Sequence, residues 1–274
     1  MKKLYIYPNL TEERYIEKVK KALNVLEDNG YECNLRKKDG ELLFGKTYKP
    51  KRDIDDCDLI VTLGGDGTFL RGTKLAIEKD MKICGINCGN LGFLCAYQLK
   101  DIDKVDFNSL KTSKSNVLEF DYNNNTFIAL NEVVVGKDYF GGTVELEYKT
   151  KKLSNRFKGD GLIICTATGS TAYNISAGGK AFKDEDEIIG ITPICAYTKG
   201  IKPECVNEKE IIKIKLVDSK YTASIFADGI LIGQLDEIDI KLSKRKAKIL
   251  KKWKDGNASF SLSLLIKFTS LIYT

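Results

Sequence analysis

The sequence predicts an α/β N-terminal domain with a parallel sheet, followed by a β-rich C-terminal domain. In the first third of the chain, short apolar runs alternate with helical patterns, which is typical of β-α-β units. Beyond about residue 98, short β-type runs separated by turn signals replace the helical patterns. We therefore place the α/β domain at 1–98 and the β-rich domain at 99–254.

Four strands and two helices are predicted in the first domain. The strands are Lys3–Tyr7, Tyr31–Arg36, Asp58–Leu63 and Lys82–Ile86, and the helices are Thr11–Asp28 and Thr68–Lys79. The run at 58–63 is almost entirely apolar, as buried parallel strands require. Asn9 with Glu12 resembles a capping box for the first helix, and Gly30 is placed to end it.

Seven short β-type runs are predicted in the second domain. They are Asn116–Tyr122, Thr126–Val135, Thr143–Tyr148, Gly161–Thr166, Ile211–Val217, Tyr221–Phe226 and Ile230–Lys241. The triplet Asn123–Asn125 predicts a turn between the first two. The last fifteen residues, 260–274, are mostly apolar but too short to span a bilayer. We therefore expect the end of the chain, about 255–274, to pack back on the α/β domain, with a membrane anchor as the alternative.

The amino-acid composition excludes several catalytic mechanisms and indicates the class of ligand and the cellular compartment. Histidine is absent, which excludes Ser-His and Cys-His nucleophile pairs and histidine-ligated zinc. The net charge of +6 mildly favours anionic ligands such as nucleotides without indicating nucleic acid. Eight cysteines without a CxxC pair, and no recognisable signal peptide, predict a reduced, cytoplasmic protein.

The most informative motif is Gly64-Gly65-Asp66-Gly67, which follows a buried strand and opens a helix. Glycines let the backbone approach a ligand closely, and helix N-terminal amides favour a phosphate. A carboxylate beside a phosphate is electrostatically unfavourable unless it has a task. Asp66 could accept a proton from an attacking hydroxyl or hold Mg²⁺; the alternative is a tight turn with a capping aspartate.

A second glycine-rich loop, Gly85–Leu94, follows the next parallel strand. Ligands of open α/β sheets collect at the carboxyl ends of the strands. We therefore expect both glycine-rich loops to lie at one edge of the sheet.

Two motifs in the second domain place polar groups next to apolar strands. Asn131-Glu132 interrupts the run IALNEVVV, which indicates either a strand end or a pair of ligand contacts. The segment Gly159–Gly179 has a carboxylate loop before an apolar strand and a loop of small and hydroxyl residues after it. Its hydroxyls could bond a ligand, Ala172 leaves room for a flat ring, and Tyr173 could stack on it.

Taken together, these motifs resemble NAD kinases in order and spacing. The resemblance is carried by GGDGT at 64–68, GINCGNLGFL at 85–94, NE at 131–132, GDG…TGSTAYNISAGG at 159–179 and TPI at 192–194. It covers about residues 1–235. GGDG alone is shared with diacylglycerol and sphingosine kinases.

The resemblance implies a two-domain enzyme that uses ATP or polyphosphate with Mg²⁺ to phosphorylate the adenosine ribose 2′-hydroxyl of NAD. It implies Asp66 as the proton acceptor, a homodimer or homotetramer, and a divalent cation that is not held by a dedicated protein cage. The implied substrate-binding residues are Gly64, Gly65, Gly67, Arg71, Asn131, Glu132, Lys158, Asp160, Thr168, Thr171, Ala172, Tyr173, Asn174 and Ser176.

Three positions depart from the family pattern: Ala167 replaces a proline, Tyr197 a histidine, and Ile230 the glutamine of a DGQ motif. Three other functions stay open. A lipid kinase would share GGDG but needs a membrane-facing apolar patch. A non-catalytic sensor would bind NAD or NADP without turnover. A nucleic-acid-binding protein would need aromatics clustered among the basic residues of 244–254, where only Trp253 occurs.

Overall fold

The computed structural model describes residues 2–89, 92–139, 141–217 and 220–252. These residues form two compact units. Unit 1 comprises the described residues of 1–114 and 247–252, and unit 2 those of 115–246. This division differs from the predicted boundary at residue 98, because the chain from 99 to 110 still packs on helix α1 (Glu13–Asp28). The segment 255–274 lies outside the described residues. No helix in the described part is long and apolar enough to cross a membrane.

Unit 1 is built on one seven-stranded sheet. Its strands are β1 Lys3–Pro8, β2 Glu32–Leu35, β3 Leu59–Gly64, β4 Lys82–Asn87, β5 Tyr97–Gln98, β6 Lys111–Ser115 and β19 Ala247–Lys251. They follow the order β2-β1-β3-β4-β19-β6, with β5 also paired to β4. Pairs β1–β2, β1–β3, β3–β4, β4–β5 and β4–β19 are parallel, so the predicted parallel sheet is confirmed.

Helices cover this sheet through apolar faces. They are α1, α2 Lys37–Phe44 and α3 Asp66–Glu78, with short 3-10 segments at Ile54–Asp56 and Leu99–Lys104. Helix α3 lies close to β3, because a Cβ on Gly72 would come within 2.5 Å of Thr62 Cγ2. Gly30, at φ +83°, follows the end of α1 as predicted.

The capping-box prediction for α1 is wrong. The helix begins at Glu13, and Glu12 is extended and makes no side-chain cap. Asn9 Oδ1 instead accepts the amide of Thr11 at 3.1 Å and its hydroxyl at 2.8 Å. The asparagine therefore closes its own turn two residues on, a local bond that competes with helix capping.

Unit 2 consists of two six-stranded antiparallel sheets. The strands are β7 Leu118–Tyr122, β8 Asn125–Ala129, β9 Glu132–Lys137, β10 Val144–Lys149, β11 Ser154–Gly159, β12 Gly161–Cys165, β13 Ile188–Ile194, β14 Glu204–Asn207, β15 Ile212–Leu216, β16 Ala223–Ala227, β17 Ile230–Gln234 and β18 Glu237–Leu242. The orders are β11-β10-β15-β18-β7-β8 and β14-β13-β12-β9-β16-β17. Apolar side chains from both sheets form one core, so the predicted β-rich domain is confirmed.

Two predicted strands are each two strands in the structure. The run 126–135 breaks at Leu130 and Asn131 between β8 and β9, and the run 230–241 breaks between β17 and β18. Asn123 and Asn124 have φ of +47° and +61° and join β7 to β8, as the turn prediction requires. A 3-10 turn, Thr168–Thr171, and the short helix α4, Tyr173–Ser176, follow β12. Together these loops carry most of the predicted site residues of unit 2.

Candidate functional site

The Gly64–Gly67 loop joins β3 to α3 in unit 1. The strand ends at Gly64, and Gly65 is the N-cap, whose carbonyl accepts the amides of Thr68 at 3.0 Å and Phe69 at 3.1 Å. The amides of Asp66 and Gly67 lie in the first helical turn, where no preceding helical carbonyl can accept them. The loop therefore presents donors and the positive end of the α3 dipole in one place.

Asp66 links this loop to the second glycine-rich loop. Its Oδ2 accepts the amide of Phe93 at 2.9 Å, and its Oδ1 accepts that of Leu94 at 3.1 Å. The two loops therefore lie together, as expected for loops at the carboxyl ends of neighbouring parallel strands. Asp66 is half-buried and makes no ion pair with any described residue. Each carboxylate oxygen has a second lone pair, so both amide bonds leave it able to accept a proton.

The glycines of this loop differ in why they are needed. A Cβ at Gly64 would come within 2.4 Å of Thr68 Oγ1, so internal packing alone requires glycine there. Among the described residues, a Cβ at Gly65 would meet nothing within 4 Å, and one at Gly67 would meet only Arg71 Nη1 at 3.8 Å. Neither has a positive φ. No described residue therefore fills the space beside Gly65 and Gly67, and a ligand could approach the backbone there.

Arg71 lies one turn into α3 with an exposed side chain, as the resemblance implied for a substrate contact. Its Nη2 lies 3.4 Å from Thr68 Oγ1, which orients the guanidinium toward the loop end of the helix. Its exposed guanidinium can donate to a phosphate.

In unit 2 the Asn131-Glu132 pair lies at the break between β8 and β9. Asn131 is half-buried, and Glu132 is only 9% exposed. The Oε2 of Glu132 is buried without a hydrogen-bond partner among the described residues. Burial raises the pKa of Glu132 to about 7, and the charge of Asp228 adds to the shift. A buried carboxylate oxygen without a partner is costly, so the group is suited to a ligand hydroxyl.

The loop after β12 packs against this break. The amide of Thr166 donates to Asn131 O at 2.9 Å, and its hydroxyl donates to Leu130 O at 2.6 Å. A Cβ on Gly169 would lie 2.1 Å from Asn131 O, so only glycine allows the approach. Thr168 is buried, and its Oγ1 also has no partner among the described residues. Two orphaned oxygens, from Glu132 and Thr168, thus occur in neighbouring segments of one unit.

The remaining predicted residues after β12 differ in exposure. Thr171 and Ala172 are half-buried, whereas Tyr173, at 46% exposed, and Ser176 face solvent. All four are available to a ligand.

Asn174 is the exception, and its predicted role as a ligand contact is corrected here. The residue is fully buried, and its Nδ2 donates to Ser170 O and Lys180 O, each at 2.9 Å. Its Oδ1 accepts the hydroxyl of Thr192 at 2.6 Å. Because its polar atoms are used internally, Asn174 fixes the loop rather than binding a substrate.

Lys158 and Asp160 flank the turn between β11 and β12. Lys158 is exposed, and its backbone pairs with Tyr197 and Thr198. Asp160 forms an ion pair with Lys137, whose Nζ lies 2.7 Å from Oδ1. Both side chains reach the surface, so a charged ligand group could contact either one.

Sequence reasoning missed the two residues that hold the Asn131-Glu132 pair, namely Thr166 and Asp228. The carboxylate of Asp228 accepts the amides of Leu130, Asn131 and Glu132 at 2.7, 2.8 and 3.2 Å. The sequence signals at Asp228 were the Asp228-Gly229 dipeptide after a strand, which indicates a hairpin turn, and the partial match to the family's DGQ motif; neither indicates a long-range bond.

One cavity in unit 1 lies elsewhere. It has a volume of about 820 Å³ and is lined by the amino ends of the strands, including Lys2, Asp58, Lys82 and Lys248. The motif residues end their strands at the opposite edge of the sheet, so this cavity takes no part in the candidate site.

Both the N-terminal and the C-terminal part of the chain match domains of known proteins. The ATP-NAD kinase N-terminal domain matches residues 6–106, and the ATP-NAD kinase C-terminal domain matches residues 130–252. The fold is that of two-domain kinases of this type. A yeast NADH kinase complexed with NADH aligns with a TM-score of 0.82 at 21% identity, covering 98% of this chain and 88% of that one. An NAD kinase from Archaeoglobus fulgidus in complex with ATP aligns with a TM-score of 0.70 at 24% identity, covering 92% and 94%.

Curated relatives extend the match along the sequence. The chain is 34% identical to the NAD kinase of Fusobacterium nucleatum over 260 residues, covering 91% of this chain and 92% of the relative. It is 35% identical to the NAD kinase of Clostridium beijerinckii over 211 residues, covering 73% and 74%. The chain therefore belongs to the NAD kinase family, and it is a phosphotransferase.

Proposed function

We propose that this protein phosphorylates the 2′-hydroxyl of the adenosine ribose of NAD, with ATP and Mg²⁺ as the donor, to give NADP. The observation that carries the proposal is Asp66. Its half-buried carboxylate makes no ion pair among the described residues and stands at a helix N-terminus beside open glycine backbone. The bound ligands of the two similar structures, NADH and ATP, support this choice of substrates.

In this mechanism Asp66 accepts the proton of the ribose 2′-hydroxyl while the oxygen attacks the γ-phosphorus. The new O–P bond forms as the bond to the bridging oxygen of ADP breaks, and ADP leaves with that electron pair. The Phe93 and Leu94 amides hold the carboxylate in one orientation. General-base help of this kind contributes about 10²–10⁴ in rate, and alignment supplies much of the rest.

The amides at the start of α3 and the Arg71 guanidinium are the groups of unit 1 suited to the phosphates. Among the described residues there is no cluster of three or more His, Cys, Asp or Glu that would form a cage for a metal ion. On this proposal Mg²⁺ would be held mainly by the nucleotide phosphates and water, with Asp66 as the nearby carboxylate. When bound, the ion would neutralise phosphate charge.

In unit 2, Asn131, Thr168 and Thr171 would bind the adenine, and Glu132 the ribose hydroxyls. The orphaned oxygens of Glu132 and Thr168 support this assignment, because nucleoside hydroxyl and amino groups would satisfy them. Lys158 and Asp160 would lie near the nicotinamide half, and Ala172, Tyr173 and Ser176 would line the pocket.

A coupled assay for NADP tests the proposal, with ATP or polyphosphate as donor and NAD or NADH as acceptor. We expect NADP from NAD, ATP and Mg²⁺. NAD binding without turnover would instead support the sensor, and phosphorylation of diacylglycerol in liposomes would support the lipid kinase. Because the N-terminal and C-terminal NAD kinase domains both match this chain, we expect NADP formation rather than either alternative.

We also infer from the cysteine usage that the protein is cytoplasmic, and from the family resemblance that it works as a homodimer or homotetramer. Sedimentation of the purified protein measures the second point. A monomer at assay concentration with full activity would contradict it.

A further inference from the structure

We propose that Asp228 is a positioning residue that holds the backbone of Leu130–Glu132, so that Asn131 and Glu132 present their side chains to the nucleoside. The proposal rests on the proposed function and names a residue that touches no substrate. It starts from the break between β8 and β9, where the chain leaves one sheet and enters the other.

Three consecutive amides at the break donate to one side chain. Asp228 Oδ2 accepts the amide of Leu130 at 2.7 Å, and Oδ1 accepts the amide of Asn131 at 2.8 Å. Oδ1 also accepts the amide of Glu132 at 3.2 Å. Only a side chain without donors accepts all three, which an aspartate does and an asparagine does not.

The three carbonyls of the same segment are also satisfied. Leu130 O accepts the hydroxyl of Thr166 at 2.6 Å, and Asn131 O accepts its amide at 2.9 Å. Glu132 O accepts the amide of Asp228 at 3.0 Å. All six backbone groups therefore have partners, from Asp228 and Thr166 alone. An irregular segment becomes rigid in this way without belonging to a ladder.

The turn geometry explains how the carboxylate reaches the break. Asp228 and Gly229 have φ of +47° and +78° and join β16 to β17, with Ala227 paired to Ile230. Two residues with positive φ give a tight hairpin turn. Strand β16 pairs with β9 next to it, with Ala227 opposite Val133, so the turn lies directly beside the break.

The arrangement carries an electrostatic cost, which argues that it is not incidental. Asp228 as a residue is half-buried, yet desolvation of its carboxyl raises its pKa to about 6 against the lowering effect of the three amide bonds. Its charge also adds to the raised pKa of Glu132. A neutral side chain would remove that repulsion and lose at least one amide bond. The acceptor geometry is therefore the property that needs aspartate.

The test compares Asp228→Asn with Asp239→Asn, which makes the same charge change on the exposed face of β18. For Asp228→Asn we expect the Kd for NAD, measured by calorimetry without ATP, to rise at least tenfold. We expect kcat at saturating NAD to stay within threefold and the KM for ATP within twofold. Asp239→Asn should match the unmodified protein in all three.

Hydrogen exchange gives a second readout that global destabilisation would not reproduce. Amides 130–132 should exchange at least tenfold faster in Asp228→Asn, while the core strands β12 and β13 keep their protection. If Asp228→Asn does not fold, Thr166→Val tests instead whether fixing the backbone of Leu130–Glu132 contributes to NAD binding. It removes the hydroxyl that donates to Leu130 O and accepts the amide of Gly169, and it should raise the Kd for NAD about threefold, whereas Thr166→Ser keeps that hydroxyl and should bind NAD as the unmodified protein does.

Unchanged NAD affinity together with unchanged exchange at 130–132 would overturn the proposal. The outcome is separable from failure of the proposed function. If the unmodified protein does not bind NAD at all, the function fails, and the exchange of amides 130–132 still reports whether Asp228 holds the segment.

Discussion

Two aspartates, one in each unit, use the same local chemistry for different ends. Asp66 accepts two consecutive amides, from Phe93 and Leu94, and Asp228 accepts three, from Leu130 to Glu132. Asp66 is the first residue of a long helix with open glycine backbone beside it, whereas Asp228 lies in a hairpin turn and also donates its own amide to the segment it holds.

Because of this difference, we propose a catalytic role for Asp66 and a positioning role for Asp228. Asp66 keeps free lone pairs at a place that a ligand can reach, so we propose that it accepts the proton of the ribose 2′-hydroxyl. Asp228 is surrounded by the backbone it organises, so its effect on a substrate passes through Asn131 and Glu132. Variants of the two residues should therefore divide between kcat and NAD affinity.

The largest effect is expected for Asp66→Asn. The amide keeps one acceptor oxygen for the Phe93 and Leu94 loop but cannot take a proton, so kcat should fall by about 10²–10⁴. The Kd for NAD should stay within threefold, the reverse of the pattern expected for Asp228→Asn. Steady-state kinetics and calorimetry on the two variants measure this contrast. Near-normal kcat in Asp66→Asn would remove the distinction between the two aspartates.

Asn174→Ala should lower stability rather than affinity. The change leaves Ser170 O, Lys180 O and the Thr192 hydroxyl without the partner they have now. Losing buried partners of this kind costs about 1–3 kcal/mol each, and we expect a total of about 3 kcal/mol. Urea unfolding measures it, with Asn125→Ala on the exposed β7–β8 turn as the control at about 0.5 kcal/mol or less. A stable variant with weakened NAD binding would restore the ligand role we withdrew.

The buried carboxyl pair predicts a pH dependence. The pKa of Glu132 is raised to about 7 and that of Asp228 to about 6, so between about pH 5 and pH 8 the folded protein binds more protons than the unfolded chain. Stability of the ligand-free protein should therefore fall as pH rises through this window, by at most about 1.4 kcal/mol per pH unit for each group.

Glu132→Gln removes one of the two titrating groups and should flatten that fall. The free energy of unfolding in urea at pH 5, 6, 7 and 8 gives the slope for both proteins. Equal slopes would mean that Glu132 ionises freely in the folded state, and the case for its desolvation would be lost.

The smallest effect is expected for Asn131→Ala. Its backbone is fixed by Asp228 and Thr166, so the fold should tolerate loss of the side chain. One ligand hydrogen bond is worth about 1 kcal/mol, so the KM for NAD should rise about fivefold with little change in melting temperature. Kinetics with thermal denaturation of the same sample separate the two. An unchanged KM would place the adenine contact elsewhere.

Sequence patterns found what is encoded locally. The apolar strand 58–63, the strand-to-helix turn at Gly64-Gly65 and the Asn123-Asn124 turn were predictable because strand burial, tight turns and positive φ depend on neighbouring residues. The order and spacing of the motifs then indicated the resemblance to NAD kinases. The capping box failed at Asn9 because a competing local bond to Thr11 is equally compatible with the same residues.

Other features depend on contacts that no local pattern contains. Strand β19 enters the unit 1 sheet beside β4 from the far end of the chain, pairing Lys248 with Lys82. Asp228 reaches Leu130 across 98 positions of sequence. The sequence by itself determined the two kinds of domain and identified Asp66 as the proposed general base, since those follow from short-range periodicity and residue type. Only the tertiary structure showed which side chains position the candidate site and which, like Asn174, form hydrogen bonds within the protein. The reason is that hydrogen-bond partners are often far apart in the sequence and come together only in the folded chain.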